Sequence, residues 1–195
     1  MYDLFFQMFN DRVSLSLVDQ DIIKAYLTPK KLKKRQYLLQ EGDVCKHLAF
    51  VTKGALRSCV LDENGTEHIR QFAVEGWTIA DLFSFLTEEP ATHSIEAIED
   101  SELILISKSA HEELLQKVGK YETYMRILIT NAYISLQKRF TSTVSSSVEE
   151  QYEDFLKNYP DIVSRIPQHM IASYLGLTPS TISRLRARLA VKKEN

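Results

Sequence analysis

The sequence predicts an α+β chain in three parts: an N-terminal antiparallel β-roll of the jelly-roll kind, a long helix, and a C-terminal helix-turn-helix. Three observations predict it. Short runs rich in Val, Ile, Phe and Tyr fill residues 29–105, separated by Glu-Gly-Asp, Lys-Gly, Asn-Gly and Glu-Gly. Apolar residues then recur at spacings of three and four from Val118 onward. Finally, residues 166–189 read IPQHMIASYLGLTPSTISRLRARL, two amphipathic stretches around one glycine.

Residues 1–27 read as two short helices. Leu4, Phe5, Met8 and Phe9 make one apolar patch, and Ile22, Ile23, Tyr26 and Leu27 another, both suited to packing on the domain that follows. Lys30, Lys31, Lys33, Lys34 and Arg35 come next and read as an edge strand, where clustered charge discourages pairing with another chain. The runs QYLLQEGD, HLAFVTKG, ALRSCVLD, EHIRQFAVEGW, HSIEAIED and SELILIS are strand-length. Asn64-Gly65 between two of them is a strong hairpin signal, because both turn positions need a left-handed backbone. Short strands at this spacing predict an antiparallel roll or barrel.

From Lys108 to Phe140 the pattern is helical. Val118, Tyr121, Met125, Leu128 and Ala132 form the apolar part of a heptad seam that continues to Ser135 and Arg139, with Tyr124, Ile127 and Ile134 on one flank. A helix of about 22 residues is about 33 Å long, enough to cover its own roll and a partner copy. The expectation is a parallel homodimer with a dimerisation helix over about 109–140. TSTVSSS at 141–147 reads as a polar hinge, and Ser147 with Glu150 as a capping box opening a helix that Pro160 ends. The domains expected are therefore 1–140 and 141–195.

In the last stretch, Met170, Ile171, Tyr174 and Leu175 give the first helix an apolar face. Gly176 follows where a left-handed residue is required. Thr178 suits an N-cap and Pro179 the first helical position. Ile182, Leu185 and Leu189 line the inside of the second helix, and Ala172 leaves room for the two to cross closely. Its outer face carries Ser180, Thr181, Arg184 and Arg188. A second helix of this kind enters the DNA major groove with its N-terminal residues on base edges. Ser180, Thr181 and Arg184 are the candidates for bases, and Gln168, Thr178, Ser183 and Arg188 for phosphates.

Composition agrees with this. Net charge is −2, yet Arg165, Arg184, Arg186, Arg188, Lys192 and Lys193 face only Glu194 in the last part of the chain. A locally basic module is what duplex DNA requires. No apolar run approaches the length of a membrane span, and the N-terminus lacks the basic flank and cleavage site of a signal peptide, so a cytoplasmic location is expected. Cys45 and Cys59 have no metal-binding spacing.

Roll, long helix, hinge and helix-turn-helix, in this order, resemble the bacterial Crp/Fnr family of transcription regulators. Leu39-Gln40-Glu41-Gly42-Asp43, Phe50-Val51, Lys53-Gly54, Asn64-Gly65, Phe72 and Gly76 carry the resemblance, together with the C-terminal motif. It implies a cyclic-nucleotide-binding-like sensor domain, a winged-helix type of DNA-binding domain, a homodimer on a two-fold symmetric operator, and RNA polymerase as a further partner. In members that bind cyclic nucleotides, a Gly-Glu-Leu segment holds the ribose and an Arg-Ser or Arg-Thr pair the phosphate. Ala80-Asp81-Leu82 and His93-Ser94 stand in their place here. Without the guanidinium fork, the pair of strong phosphate bonds is lost. The expectation is a branch with a degenerate nucleotide site and an effector pocket around Phe72, Trp77, Asp81, His93 and Ser94. A cyclic-nucleotide-responsive regulator is the alternative. No cofactor is expected: the iron-sulfur members use an N-terminal cysteine cluster, whereas Cys45 and Cys59 fall within the roll. A cupin-like metal enzyme would need histidines converging on a metal, but His47, His68 and His93 are each alone in their runs, and no metal site or enzymatic activity is expected.

Overall fold

The computed structural model describes the backbone of residues 2–194; the side chains at 158 and 190–194 lie outside the described set. Two helices, α1 (Tyr2–Asn10) and α2 (Leu17–Lys24), precede the strands. Ser16 and Asp19 form a reciprocal capping box that fixes the start of α2. Eight strands follow: β1 (Thr28–Leu32), β2 (Tyr37–Leu39), β3 (His47–Lys53), β4 (Leu56–Leu61), β5 (Glu67–Ala73), β6 (Thr78–Ile79), β7 (Ser94–Ala97) and β8 (Ser101–Ser107). They pair antiparallel into two sheets, β1-β8-β3-β6 and β2-β7-β4-β5. A short helix, α3 (Leu82–Thr87), links β6 to β7. The roll read from the sequence is therefore present, and β1 is indeed an edge strand.

Glycine is required at the β3–β4 turn for space as well as for backbone angle. Gly54 has φ 101°, and a Cβ there would stand 2.7 Å from Cα of Ser101. Between the sheets lies a core that includes Leu48, Phe50, Leu56, Ile79, Ile95, Leu103 and Ile104. α1 closes one side of it. Phe5 meets Phe50 edge-on at 5.1 Å, and Phe9 stacks on Tyr124 at 3.9 Å.

The helical half is α4 (Lys108–Lys117), α5 (Gly119–Ser145), α6 (Val148–Asn158), α7 (Pro160–Arg165), α8 (Gln168–Leu175) and α9 (Pro179–Glu194). Three expectations need correction. The helix read from Lys108 to Phe140 is broken at Val118, which is extended (φ −131°, ψ 91°) and caps α4 before Gly119 starts α5. α5 then runs through the polar stretch to Ser145, where the hydroxyls of Thr143 and Ser145 bond to carbonyls four residues back and so do not compete for the helix's own N–H groups; the break falls at Ser146-Ser147. Among the described residues after Ser145 there is no strand, so the wing expected with the helix-turn-helix is not found among them.

The seam also moves. Val118, Tyr121 and Met125 are buried in the roll's own core and Leu128 packs against it, while Ala132 is exposed. The exposed apolar stripe of α5 lies further along, at Ile129, Tyr133, Leu136, Phe140 and Val144. The spacings of four, three and four from Ile129 to Phe140 are those of a heptad seam, and Val144 lies one residue beyond the next seam position.

A second core joins the two halves. Ala55, Cys59, Ile69, Phe72 and Val74 turn outward from the β4–β5 region and pack with Tyr152, Phe155, Ile162, Ile166, Ile171, Ala172, Ile182 and Leu185. The helix-turn-helix therefore completes its core with residues of the roll.

Candidate nucleic-acid interface and effector site

The C-terminal motif is built by local chemistry. Gly176 adopts φ 69° and closes α8, donating its N–H to the carbonyls of Ala172 and Ser173. Ala172 is fully buried where α8 meets its neighbours. The hydroxyl of Thr178 accepts from the N–H of Thr181, and Pro179 occupies the first helical position of α9. Ile182 and Leu185 are buried beneath α9 and Leu189 is half-buried. The opposite face presents Ser180, Ser183, Arg184, Arg186 and Arg188 to solvent, with Thr181 half-buried. Ser180 and Thr181 each share a hydrogen bond of 2.9 Å with Thr178, so these hydroxyls form one cluster at the start of α9. Arg184 bends back toward the Ser180 carbonyl at 3.4 Å. Gln168 is exposed at the start of α8. Arg188 approaches Glu149 at 3.9 Å. The basic residues Lys192 and Lys193 fall outside the described side chains.

This module is held on the roll by polar contacts around the second core. The free edge of β5 would leave backbone groups unpaired. Ser173 of α8 covers it: its hydroxyl accepts from Ile69 N–H at 3.0 Å and donates to the Glu67 carbonyl at 2.7 Å. Arg165 grips Glu75 through two bonds of 2.7 and 3.2 Å and also pairs with Glu99. Burial raises the Glu75 carboxyl, but the Arg165 bond and the N–H of Gly54 outweigh it and hold the group below its usual range. On α5, Arg139 donates to the carbonyls of Arg70 and Tyr174 and lies 4.0 Å over the Tyr174 ring. Phe72, Trp77, Phe155, Tyr159 and Tyr174 form an aromatic cluster across the same junction.

The residues expected to share an effector pocket do not all meet. Phe72 and Trp77 belong to the junction with the helical module: Phe72 lies 5.4 Å from Tyr174 and Trp77 5.6 Å from Tyr159. Asp81, His93 and Ser94 lie elsewhere. Asp81 is 2% exposed, and its carboxylate caps α3 through Ser84 N–H and braces Thr92 N–H, each at 3.1 Å. Ser94 accepts from Glu41 N–H at 3.0 Å. His93 Nδ1 stands 3.0 Å from Asp81 and 2.7 Å from Arg70. One nitrogen cannot donate to the first and accept from the second. Burial pushes the imidazole's pKa down, Asp81 opposes and Arg70 adds to the fall, so the ring is mostly neutral at pH 7, and its tautomer decides which of the two contacts is the hydrogen bond.

The region where the resemblance places a nucleotide thus holds a carboxylate engaged by two backbone amides and an imidazole engaged by a guanidinium. Arg57, the nearby buried cation, is also taken. It binds Glu96 at 2.7 and 3.0 Å and forks onto Glu67 at 2.6 and 2.8 Å. Sequence reasoning missed Arg57 and Arg70. The available signal was two arginines on adjacent strands of one hairpin; their partners depend on register.

Among the described residues, no three of His, Cys, Asp and Glu gather where one metal ion could be held. Cys45 and Cys59 are free and buried, and burial raises both thiols. No described helix is long and apolar enough to cross a membrane.

Comparison with known proteins adds to this geometry. Residues 29–118 match the family model of the cyclic nucleotide-binding domain. The regulatory protein HlyX of Actinobacillus pleuropneumoniae is 28% identical over 172 residues, covering 82% of this chain and 70% of HlyX. The crystal structure of FixK2 from Bradyrhizobium japonicum superposes with a TM-score of 0.75 at 19% identity, covering 86% of both chains. A Crp/Fnr-family transcriptional regulator from Eubacterium rectale superposes with a TM-score of 0.69 at 19% identity, over 96% of this chain and 88% of the other.

Proposed function

We propose that this chain, which belongs to the Crp/Fnr family of transcription regulators, works as a homodimer that sets two copies of α9 into successive major grooves of a two-fold symmetric operator. The family's regulators bind DNA, and this chain is a DNA-binding transcriptional regulator with a cyclic-nucleotide-binding-like sensor domain. The finer reading rests on one observation: the N-terminal turn of α9 offers Ser180, Ser183 and Arg184 to solvent over a face closed by Ile182 and Leu185. Arg184 reads a guanine, Ser180 and Thr181 contact neighbouring bases, and Gln168, Thr178, Ser183 and Arg188 hold phosphates.

The pairing surface on this reading is the stripe from Ile129 to Val144. Five large apolar side chains exposed along one face of α5 are costly in water, and each gains about 1.5–3 kcal/mol when fully buried. Two working units follow: the roll with α5, and the helical module from Ser146 onward. The module acts on DNA in the cytoplasm, with RNA polymerase as the natural further partner of a promoter-bound regulator.

The Asp81–His93 region does not favour a cyclic nucleotide. Its carboxylate and imidazole are occupied by groups of the chain itself, and the side chain at position 93 is neutral. A signal from the roll reaches the DNA-binding module instead through the Arg139, Arg165 and Ser173 contacts. Selection of bound duplexes from random DNA tests the proposal. Enrichment of an inverted repeat is the expected result, and retention of all duplexes equally would overturn sequence-specific reading.

A further inference from the structure

A second concave site lies at the other edge of the roll, and it does not depend on the DNA reading. A cleft of about 810 Å³ opens where the edge strands of the two sheets, β1 and β2, part from each other beside the start of β3. That volume is within the usual range for a small-molecule site. Its floor is formed by Leu32, Leu39 and Ile95 from both sheets, all almost fully buried, with half-buried Leu38 and exposed Tyr37 supplying apolar surface beside them. Its rim is cationic, with Lys30, Arg35 and Lys46.

These three cations differ from their neighbours. Lys31 and Lys33 pair with Glu102 and Asp100 and do not line the cleft. Lys30, Arg35 and Lys46 have no carboxylate partner among the described residues, although Asp43 also lines the cleft. Arg35 is held in a left-handed conformation, φ 68°, by its N–H bond to the Ala97 carbonyl. His47 lines the same cleft; burial, then Lys46 and Lys30, hold it below its ordinary value, so the positive charge resides on the lysines and the arginine. Like charges gathered around an apolar hollow repel one another, and an anion relieves that repulsion.

We propose that the cleft binds a small amphipathic anion, with a carboxylate or phosphate head among Lys30, Arg35 and Lys46 and an apolar body on the floor between the sheets. Charge-assisted bonds from the rim fix the head, and the floor removes the body from water. One wall of the cleft, formed by Gln40, Asp43 and Cys45, belongs to the segment that also bonds to Ala91 and Ser94, next to His93. Occupancy therefore bears on the strand and loop that carry the buried Asp81–His93 contact.

Calorimetric titration of the full chain with decanoate and with decyl phosphate tests this, with acetate and decanol as controls lacking the tail or the charge. One-to-one binding of decanoate, decyl phosphate or both is expected, and which of them binds identifies the head group. Acetate and decanol should bind at least about tenfold more weakly. Lys30→Gln with Lys46→Gln should weaken the anion by about tenfold, equivalent to about 1.4 kcal/mol. Lys31→Gln with Lys33→Gln should leave it unchanged. All four lysines are exposed, so both double variants keep the fold, as thermal unfolding will register. The proposal is overturned if neither anion binds, if decanol binds as tightly, if Lys30→Gln with Lys46→Gln has no effect, or if both pairs of substitutions weaken binding equally.

Discussion

Arg57 is the side chain on which the interior of the roll makes its largest electrostatic demand. It is 8% exposed and serves two carboxylates. Burial opposes its charge, but the bonds to Glu67 and Glu96 outweigh burial and keep it protonated. Removing it leaves Glu96, whose side chain is only 11% exposed, without its partner. Arg57→Ala is therefore expected to cost about 3 kcal/mol, because an uncompensated buried charge is left behind. Urea denaturation measures this, and an unchanged midpoint would refute it. Arg184→Ala belongs to the same scale. It should cost about 1–3 kcal/mol on the selected operator and relax preference at one base position. Equal loss on every duplex would assign Arg184 to the backbone instead. The buried histidines set a pH limit. His93 and His111 both titrate below their ordinary value in the folded chain, in each case with burial as the first cause. The unfolded chain then takes up more protons, so stability is complete above about pH 6.5 and falls as pH drops below it. Thermal unfolding between pH 7 and 5 should show that decline, and His93→Gln with His111→Gln should flatten it. The residue scale is where the sequence was least legible. Asp81 and His93 were identifiable as departures from a nucleotide-binding pattern. The Asp81 cap on α3 is a local signal three residues long that sequence reasoning missed, whereas Arg70 engages His93 from 23 residues away, which follows from register alone.

At the scale of elements, most of the strands and helices could be read because their signals are local. The capping boxes at Ser16 and Ser147 and the Gly176–Pro179 turn settle their own conformation; at Asn64-Gly65 the hairpin forms, but through a longer loop in which Gly65 and not Asn64 is left-handed. α5 was harder. Its apolar period is continuous from Val118, but the first half faces the chain's own roll and the second half faces solvent. A period alone does not say which partner covers which part. The strands of the second sheet misled for a related reason. Leu56, Arg57, Ser58 and Cys59 are all buried, as are Phe72, Ala73 and Val74, because the roll covers one face and the helical module the other. Alternation disappears when both faces are covered, so no sign in the sequence shows that Phe72, which the resemblance grouped with Trp77 and Asp81, faces the helical module. The revised seam makes a direct prediction. Leu136 and Phe140 are 62% and 67% exposed in the single chain. Leu136→Asp with Phe140→Asp should convert the dimer to monomer in sedimentation with little loss of chain stability. Leu128→Asp should instead disturb the roll's core. A dimer that survives the first pair would remove the stripe from the interface.

For the whole molecule, the question is how a sensor and a reader share one chain. The two units are not independent bodies joined by a tether. They share a core, and Arg139, Arg165 and Ser173 join α5, the roll and the helix-turn-helix. Any reorientation of α9 must change these contacts together. The sequence showed both units and their order but not this docking, because its partners are far apart in the chain. Charge acts at this scale as well. The chain carries a net charge of −2, so DNA attraction comes from the local basic face and should weaken steeply with salt. The central claim is that two copies of α9, paired through α5, read two half-sites. Footprinting of the selected operator with the intact chain tests it most directly. Two protected half-sites related by a two-fold axis are expected, with centres about 34 Å apart, one turn of the duplex. A single asymmetric protected patch, bound by one chain, would contradict it.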